Sequence, residues 1–536
     1  MESSSFSVHI LNTLRIGPLA WESKSFLGLA LALVAISFVG LFAWHAIAWF
    51  KSPLRKFPGP FLAGWTNAWR LVLVLRGKYQ YELRKLHAKY GPVVRLGPNL
   101  LAIDYPELVK VVYGPDGRFL KTEFYHNNSF YENGKLNYQI FSETTPAEHA
   151  IKKKPFARCF TPTIVQATEP LMDSTISIFL EQLDNRFANL KGQNSAQEFD
   201  LARWLNFYAW DFMTQATFSR RFGYLDHGCD FDGSLQKQVK MAQYFQTVGQ
   251  MPFLDYLLDK NPIVRIGPPN IAFAINLSAS SLFARLEGKD EKFDPKTPDF
   301  LQHFIESRAI FPDTVDNAMI MSYLLINILA GADTSAITMT AVFYLCLKNP
   351  PVFRRLVAEV RAPACDPDKP YPYSAACHLP YLEAVVRESL RVHPVIGMML
   401  PRYVPEGGLT LPDGSFVPAG TQVGINQYIT GCNKSFWGDD VAEFRPERWL
   451  PAEDGSENEE TYNARRRRMI AADLSFGGGI RVCTGKSLAL ENIYKLVATL
   501  LNRYDVELVD PSKEWTVTGT WFQMLKDVNV KIELRK

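Results

Sequence analysis

Residues 476–486 constrain this chain more than any other segment, because they place one cysteine between a glycine-rich loop and a predicted helix start. Apolar residues recur at helical spacing after Cys483, at Leu490, Ile493, Val497 and Leu500. The loop's N–H groups, the helix N-terminus and Arg481 would each favour negative charge on the sulfur. The glycines at 477–479 lack a Cβ, which would let a flat ligand approach closely. We therefore predict that Cys483 binds a metal as a thiolate.

Other interpretations of this segment are weaker or fail. A zinc site fails because no second Cys or His lies at finger-like spacing from Cys483. A phosphate-binding loop fails because neither the Walker nor the Rossmann spacing is present. A buried, inert cysteine beside a loop is the remaining alternative.

The segment resembles the haem-binding loop of the cytochrome P-450 family. That pattern is Phe, any two, Gly, any one, Arg, any one, Cys, any one, Gly, and it is met in full by Phe476, Gly479, Arg481, Cys483 and Gly485. The resemblance covers roughly residues 57–536 and implies a mainly α fold with a smaller β part. It also implies haem b as cofactor, with Cys483 as axial ligand of the iron.

A second feature is a long apolar segment in the middle of the chain. Residues 314–347 are predicted to form one helix, with Asp313 as its cap. Asp333 is the only charged residue between positions 316 and 348, so this helix should be buried nearly all round.

Residues 330–335 within this helix resemble the family's oxygen-activation motif. The resemblance implies that small residues, including Ala330, open a groove for dioxygen in the pocket, and that Asp333 and Thr334 relay protons. Burial should raise the pKa of Asp333 toward the range useful for proton delivery. An internal, hydrogen-bonded aspartate is the alternative.

Glu388 and Arg391 are spaced three residues apart in a predicted helix and therefore share a face. Such a pair is usually a surface ion pair of low energy. Residues 444–449 resemble the second half of the family's Glu/Arg motif, which implies that Arg448 joins the pair in a buried structural network that holds the haem loop.

The resemblance also implies basic partners for the haem propionates, and we expect these to be His149, Lys153 and Arg402. The first two depart from the family's usual Trp and Arg. A solvated charge face is the alternative for the basic helix that contains Lys152 and Lys154.

The substrate pocket is expected to lie against the haem and beneath a long aromatic loop at residues 119–148, which could otherwise be a plain surface loop. The residues predicted to line it are Ala330, Val395, Ile396, Met398 and Trp521.

The N-terminal region suggests a membrane anchor, because residues 25–50 contain no Asp, Glu, Lys or Arg. We predict a lumenal segment at 1–24, a transmembrane helix at 25–50, a proline-rich hinge at 51–60 and a catalytic domain at 61–536. Lys51, Arg55 and Lys56 favour a cytosolic domain on a single-pass protein of the endoplasmic reticulum. A cleaved signal peptide and a buried core helix are the alternatives.

The chain carries no flavin or nicotinamide fingerprint, so its electrons should come from a separate NADPH-cytochrome reductase, with cytochrome b5 as a second candidate donor. The basic residues at 465–468 and 152–158 could form a positive docking surface for it. A formal charge of +3 is too small to indicate nucleic acid. Seven cysteines, an odd count without paired spacing, favour a reducing compartment.

The function that the resemblance implies is a haem-dependent monooxygenase that inserts one oxygen atom from dioxygen into an apolar small molecule. The reaction would be a hydroxylation, epoxidation or demethylation in fungal secondary metabolism, and a weaker similarity is to members related to pisatin demethylase. Thiolate donation would support cleavage of the O–O bond. Two alternatives are a haem-thiolate isomerase or dehydratase, and a non-catalytic membrane protein that binds haem or another ligand.

Overall fold

The computed structural model describes residues 17–132, 135–188, 197–261, 263–268 and 271–535. Contacts divide the chain into two compact units, Met1–Phe57 and Pro58–Lys536. The predicted boundary, a hinge at 51–60, spans the point at which the first unit ends.

The first unit is a long helix, α1 (Gly17–Lys51), followed by a short 3₁₀ helix at Pro53–Lys56. Large apolar side chains of α1 are exposed, among them Ile36, Phe42 and Trp44. By length and composition, the part at residues 31–51 could cross a membrane. The helix begins before the predicted anchor at 25–50, so residues 17–24 are helical as well, and residues 1–16 of the predicted lumenal segment lie outside the described residues.

The second unit is mainly helical. Its helices are α2 (Ala68–Leu75), α3 (Tyr79–Tyr90), α4 (Val109–Val112), α5 (Pro146–Arg158), α6 (Pro162–Ala167), α7 (Glu169–Leu183), α8 (Leu201–Phe218), α9 (Tyr224–His227), α10 (Ser234–Val248), α11 (Phe253–Leu258), α12 (Ala272–Leu286), α13 (Phe300–Ile310), α14 (Asn317–Leu347), α15 (Pro350–Arg361), α16 (Tyr373–Ala376), α17 (Pro380–Val392), α18 (Gln427–Thr430), α19 (Lys434–Trp437), α20 (Glu459–Ala472) and α21 (Lys486–Arg503).

The strands are short. They are β1 (Val93–Gly97), β2 (Leu100–Ile103), β3 (Ser129–Glu132), β4 (Lys135–Tyr138), β5 (Phe199–Asp200), β6 (Arg402–Tyr403), β7 (Leu409–Thr410), β8 (Phe416–Val417), β9 (Gln422–Ile425), β10 (Tyr504–Leu508), β11 (Thr516–Gly519), β12 (Gln523–Lys526) and β13 (Asn529–Leu534). One sheet has the order β1-β2-β9-β6, in which β2 and β9 run parallel, and a second has the order β10-β13-β5. The hairpins β3-β4, β7-β8 and β11-β12 stand apart from these sheets.

The central helix α14 begins at Asn317, three residues later than predicted. The side chain of Asp316, not Asp313, caps it by accepting a hydrogen bond from the Met319 N–H at 2.8 Å. Most residues of α14 are buried, and α8, α12, α17 and α21 pack around it. Its apolar composition therefore reflects burial in the domain core, and the helix carries the residues predicted to face the haem.

Candidate functional site

The cysteine loop joins α20 to α21 and is closed by its own backbone, because the Cys483 N–H donates to the Phe476 carbonyl at 2.8 Å. Gly477 and Gly479 have left-handed φ angles of 72° and 54°. A Cβ at Gly479 would lie 2.2 Å from the Gly114 carbonyl oxygen, so only glycine fits there. Gly479 thus packs the loop against neighbouring backbone, whereas its missing Cβ was predicted to let a flat ligand approach.

Cys483 lies deep in the protein, yet its side chain is exposed because it faces an internal cavity. Burial raises the pKa of its thiol, while the Gly485 N–H and the Lys153 and Lys486 ammonium groups act in the opposite direction. Among the described residues no group of three His, Cys, Asp or Glu could hold a metal ion. A metal at Cys483 would therefore have to bring its other ligands, as the iron of a haem does.

The cavity has a volume of about 410 Å³ and a mostly apolar lining. Phe476, Cys483 and Gly485 border it on one side, and Ala330 and Thr334 of α14 border it on another. The other residues predicted for the pocket also line it: Val395, Ile396, Met398 and Trp521. Residues distant in sequence are thus brought together around one space.

Two small residues of α14, Ala330 and Gly331, border the cavity. A Cβ at Gly331 would lie 2.8 Å from the Met213 sulfur, so Gly331 also makes room for packing against α8. The Thr334 hydroxyl donates to the Ala330 carbonyl at 2.8 Å, which completes the turn beside the cavity. Thr334 therefore places a hydroxyl at the same cavity that the cysteine loop borders.

Asp333 points to the other side of α14 and does not line the cavity. Its carboxylate accepts hydrogen bonds from Trp210 Nε1 at 2.9 Å and Asn206 Nδ2 at 3.0 Å. Burial raises the pKa of this carboxyl, and these two donors with Gln238 oppose the rise. In the described structure no hydrogen bond joins Asp333 to Thr334. Gln238 lines the cavity and also helps to lower the pKa of the Asp333 carboxyl, so it lies near both the cavity and Asp333.

Basic side chains line one part of the cavity, and we call them the basic cluster. Its members are Lys121, His149, Lys153, Arg402 and Arg481.

The two arginines of the basic cluster donate to neutral oxygens. Arg402 Nη1 donates to the Tyr125 hydroxyl at 2.8 Å and to the Pro401 carbonyl at 2.9 Å. Arg481 Nη1 donates to the Glu143 backbone carbonyl at 2.8 Å. Burial, followed by repulsion from Arg402, lowers the pKa of Arg481 to about 10. These contacts orient both guanidinium groups and leave their charges without a carboxylate.

The predicted propionate donors on α5 differ from each other. Lys153 Nζ donates to the Ile480 carbonyl at 2.8 Å and to the Val482 carbonyl at 3.3 Å, so it holds the cysteine loop directly. His149 is buried, and burial with nearby Arg481 lowers its pKa to about 3. His149 is therefore neutral near pH 7 and could donate or accept, whereas Lys153 is a positioning residue for the loop.

Lys121 belongs to the basic cluster, although the sequence analysis did not select it. Its backbone pairs with Arg402, its ammonium donates to the Phe141 carbonyl, and it lies 4.1 Å from the Tyr125 ring centroid. Burial, followed by repulsion from Arg402 and Arg481, lowers its pKa well below the ordinary value. No local pattern marks this lysine, since only the tertiary pairing with Arg402 brings it to the cavity.

The charges of the basic cluster are not balanced within the described chain. Glu143 is the carboxylate that attracts the charge of Lys121 in the cluster, and it is already paired with Lys152 at 2.7 Å. A ligand with two carboxylates would offset part of this excess, and haem b has two propionates. The lone thiol at Cys483 and this excess of donors thus both fit haem.

The predicted Glu388 network is buried at the junction of α17 with residues 440–449. Glu388 accepts from Arg391 Nη2 at 2.7 Å, from Arg448 Nε at 3.4 Å and from Trp449 Nε1 at 3.0 Å. Arg448 is also paired with Asp440 at 3.2 Å. Two carboxylates and two buried guanidinium groups are thus matched, as expected for a structural role. Arg445, which is half-exposed, is an additional outer partner of Asp440 at 2.9 Å.

The predicted docking run at 465–468 is only partly exposed. Arg465 is paired with Glu457 at 2.6 Å, and Arg466 is paired with Glu383 at 2.9 Å. Arg467 and Arg468 are exposed. The first two residues of the run therefore serve internal pairs, and a docking surface could use the last two.

Comparison with known proteins identifies the family of this chain. The family model described as Cytochrome P450 matches residues 58–534. A protein named cytochrome P450 monooxygenase cfoH from Aspergillus candidus is 44% identical over 94% of this chain and 93% of its own length. Cytochrome P450 monooxygenases from Aspergillus terreus and from Emericella nidulans (cicH) are 36% and 33% identical over 84% and 94% of this chain and 90% and 99% of their own. The chain therefore belongs to the cytochrome P450 family and is an oxidoreductase of the haem monooxygenase class.

Proposed function

We propose that this protein uses dioxygen and NADPH-derived electrons to insert one oxygen atom into an apolar small molecule in fungal secondary metabolism. The main support for the proposal is that Cys483 and Thr334 border the same cavity. The lining of this cavity is mostly apolar and also includes the basic cluster. Cys483 would hold the haem iron, and the cluster would hold the propionates. When bound, the haem supplies the activation of dioxygen.

The residues of α14 would supply protons and shape the reaction space. Thr334 presents a hydroxyl at the cavity, and Asp333 is a buried carboxyl with a raised pKa on the far side of the helix. Since Gln238 acts on the Asp333 carboxyl and lines the cavity, a proton could pass from Asp333 to Thr334 along water molecules that Gln238 would orient without carrying the proton itself. The carboxyl would act as the donor and the hydroxyl as the delivering group.

The substrate would present an apolar surface to the cavity. Phe245 of α10, Ile326 of α14 and Val395 line it together with Trp521, whose ring centroid lies 4.9 Å from that of Phe245. Such a lining favours burial of carbon-rich ligands. The site of oxygen insertion would be the substrate carbon held next to Thr334 and Cys483.

Electrons would come from a separate NADPH-cytochrome reductase, with cytochrome b5 as a second candidate donor. Lys154, Arg158, Arg467, Arg468 and Lys486 are exposed basic residues on α5, α20 and the start of α21. They would attract an acidic electron donor toward the side of the domain that carries the cysteine loop.

We also propose that α1 anchors the protein in the endoplasmic reticulum membrane, with residues 1–24 lumenal, 51–60 as a hinge and 61–536 cytosolic. The exposed apolar surface of α1 supports this assignment. In the second unit, Tyr256, Leu257, Ile263 and Ile266 are also exposed and could contact the same bilayer.

The proposal is tested with the metabolite that accumulates when the gene is deleted from its producing organism. Incubation with the holoprotein, a fungal reductase, NADPH and isotopically labelled dioxygen should place one labelled atom in the product. Thr334→Val should release more hydrogen peroxide and less product per NADPH. Thr340→Val, on the same helix but away from the cavity, should not. Unlabelled product formed without NADPH would favour an isomerase or dehydratase, and the absence of turnover would favour a binding protein.

A further inference from the structure

Trp521 lies in the turn between β11 and β12, and backbone hydrogen bonds hold this turn in place. The N–H and the hydroxyl of Thr520 both donate to the Phe522 carbonyl, at 3.0 and 2.7 Å. The Trp521 carbonyl accepts from the Gly397 N–H at 3.4 Å, and Phe522 forms an antiparallel bridge with Ile396. The point from which the indole side chain extends is therefore fixed.

Aromatic rings surround this indole. The ring centroids of Phe245, Phe124 and Phe141 lie 4.9, 5.7 and 6.0 Å from that of Trp521. Phe141 and Phe245 line the 410 Å³ cavity together with Trp521. Trp521 is only 6% exposed, so the surface that it retains faces this cavity. The side chains of the three phenylalanines contain no oxygen or nitrogen to which the indole could donate.

The indole N–H of Trp521 is an unused donor that a ligand can reach. Buried tryptophans usually find an acceptor, and Trp210, Trp437 and Trp449 donate to oxygens at 2.8 to 3.0 Å. Among the described residues, Trp521 Nε1 has no acceptor, yet it retains accessible surface, unlike a sealed and unpartnered atom such as the Tyr79 hydroxyl oxygen. The cavity thus offers one neutral donor within an aromatic part of its wall.

The complementary ligand group is an oxygen that accepts a hydrogen bond and donates none. A hydroxyl would bring a hydrogen that the surrounding phenylalanine rings cannot accept, and burying an unpaired donor costs free energy. A carboxylate would need more than one neutral donor to offset the loss of its hydration. A neutral carbonyl oxygen meets the indole N–H without leaving a group unpaired.

The indole and the proposed reaction centre belong to different elements around the same cavity. Trp521 extends from the β11-β12 turn, whereas Thr334 lies on α14 and Cys483 precedes α21. A ligand whose carbonyl is held at Trp521 while one of its carbons lies next to the haem would be fixed at two points. Trp521 would then determine which carbon faces the haem.

We propose that Trp521 Nε1 donates a hydrogen bond to a carbonyl oxygen of the substrate and is a specificity-determining residue. The substrate class is then an apolar aromatic ketone, whose ring packs against Phe141 and Phe245. This assignment rests on the proposed monooxygenase function for the oxidised end of the molecule, and on the unused indole donor for the carbonyl end.

The test is equilibrium dialysis of the haem-loaded protein with 2-acetylnaphthalene and with 2-ethylnaphthalene, which share a ring system and differ in the carbonyl oxygen. The quantity compared is the ratio of the two dissociation constants, because this ratio cancels the packing that Trp521→Phe also removes. We expect Trp521→Phe to shift the ratio about three- to tenfold against the ketone, which is the size of one neutral hydrogen bond. Trp515→Phe removes an indole that stacks on Tyr344 outside the cavity lining, and it should leave the ratio unchanged.

A second measurement on the wild type keeps the test valid if Trp521→Phe does not fold. Ultraviolet resonance Raman difference spectra report hydrogen bonding of indole N–H groups, and the ketone should change this signal whereas the hydrocarbon should not.

An unchanged ratio in folded Trp521→Phe, identical indole spectra with both ligands, or no binding of the ketone up to its solubility limit would each overturn the carbonyl site. A failure of the proposed monooxygenase function would appear differently, as a ratio that depends on Trp521 without incorporation of labelled oxygen into any product.

Discussion

The Glu388 network and the basic cluster are both buried groups of charged side chains, but only the first is neutralised within the described chain. In the network, Glu388 and Asp440 face Arg391 and Arg448 at 2.7 to 3.4 Å. In the cluster, the guanidinium and ammonium groups donate to carbonyl and hydroxyl oxygens, and their carboxylate neighbour Glu143 is paired with Lys152.

This difference separates a structural site from a binding site. A matched network needs nothing further, so removal of one member should damage the fold. An unmatched cluster costs stability until a ligand neutralises it. Removal of a member other than Lys153, which also holds the cysteine loop, should therefore damage binding and spare the fold. The two regions should therefore respond to substitution with opposite patterns.

The largest expected effect is that of Arg391→Ala, which leaves Glu388 as a buried charge with fewer partners. We expect a loss of about 3 to 5 kcal/mol in the free energy of unfolding, measured by urea denaturation together with haem content. Arg387→Ala removes a more exposed arginine of the same helix, paired with Glu383 at 2.8 Å, and should cost about 1 kcal/mol or less. Equal losses for the two substitutions would show that the Glu388 network contributes no more to the free energy of unfolding than a more exposed ion pair does.

The second largest effect is expected for a substitution in the basic cluster, which should weaken haem binding and leave the stability of the haem-free protein intact. Lys121→Met removes a buried amine whose charged form is disfavoured by burial and by its neighbours, so the haem-free protein should be as stable as the wild type or more stable. Its affinity for haem should fall about tenfold or more, because a charged donor is lost. Haem titration and thermal unfolding of the haem-free protein measure both quantities, with Lys154→Met as the exposed control. A destabilised haem-free variant would place Lys121 with the structural residues.

The smallest effect concerns pH. The pKa of His149 is lowered to about 3, so between pH 6.5 and about 3 the unfolded chain binds a proton that the folded chain does not. Stability of the haem-free protein should therefore fall as pH decreases through this window, and His149→Gln should reduce that fall. Urea denaturation at several pH values measures it.

A matched control for this effect is His393→Gln. Burial lowers the pKa of His393 to about 4, and it lies outside the basic cluster. Bound haem, whose propionates would offset the neighbouring positive charges, should weaken the contribution of His149 and leave that of His393. An identical response of both histidines to haem would contradict the assignment of the cluster to the propionates.

What could be predicted from the sequence depended on how local each feature is. The cysteine loop is contiguous, and Glu388 and Arg391 lie three residues apart on one helix, so their proximity follows from the chain itself. The mainly α fold with a smaller β part and the family were predicted on the same motifs and are confirmed.

Features that depend on distant contacts were not predictable in this way. Lys121 reaches the cavity through pairing with Arg402, about 280 residues further along the chain. The direction of Asp333 depends on Trp210 and Asn206 of α8, which no spacing within α14 reveals. The pairing of Arg466 with Glu383 likewise depends on the packing of α20 near α17.

The most direct test of the central claim is the absorption spectrum of the reduced carbon-monoxide complex of the wild type and of Cys483→Ser. If Cys483 binds the haem iron as a thiolate, the wild type should show the Soret band specific to thiolate ligation and the variant should lose it. A variant that retains this band would contradict the account, because the thiolate would then have to come from another residue.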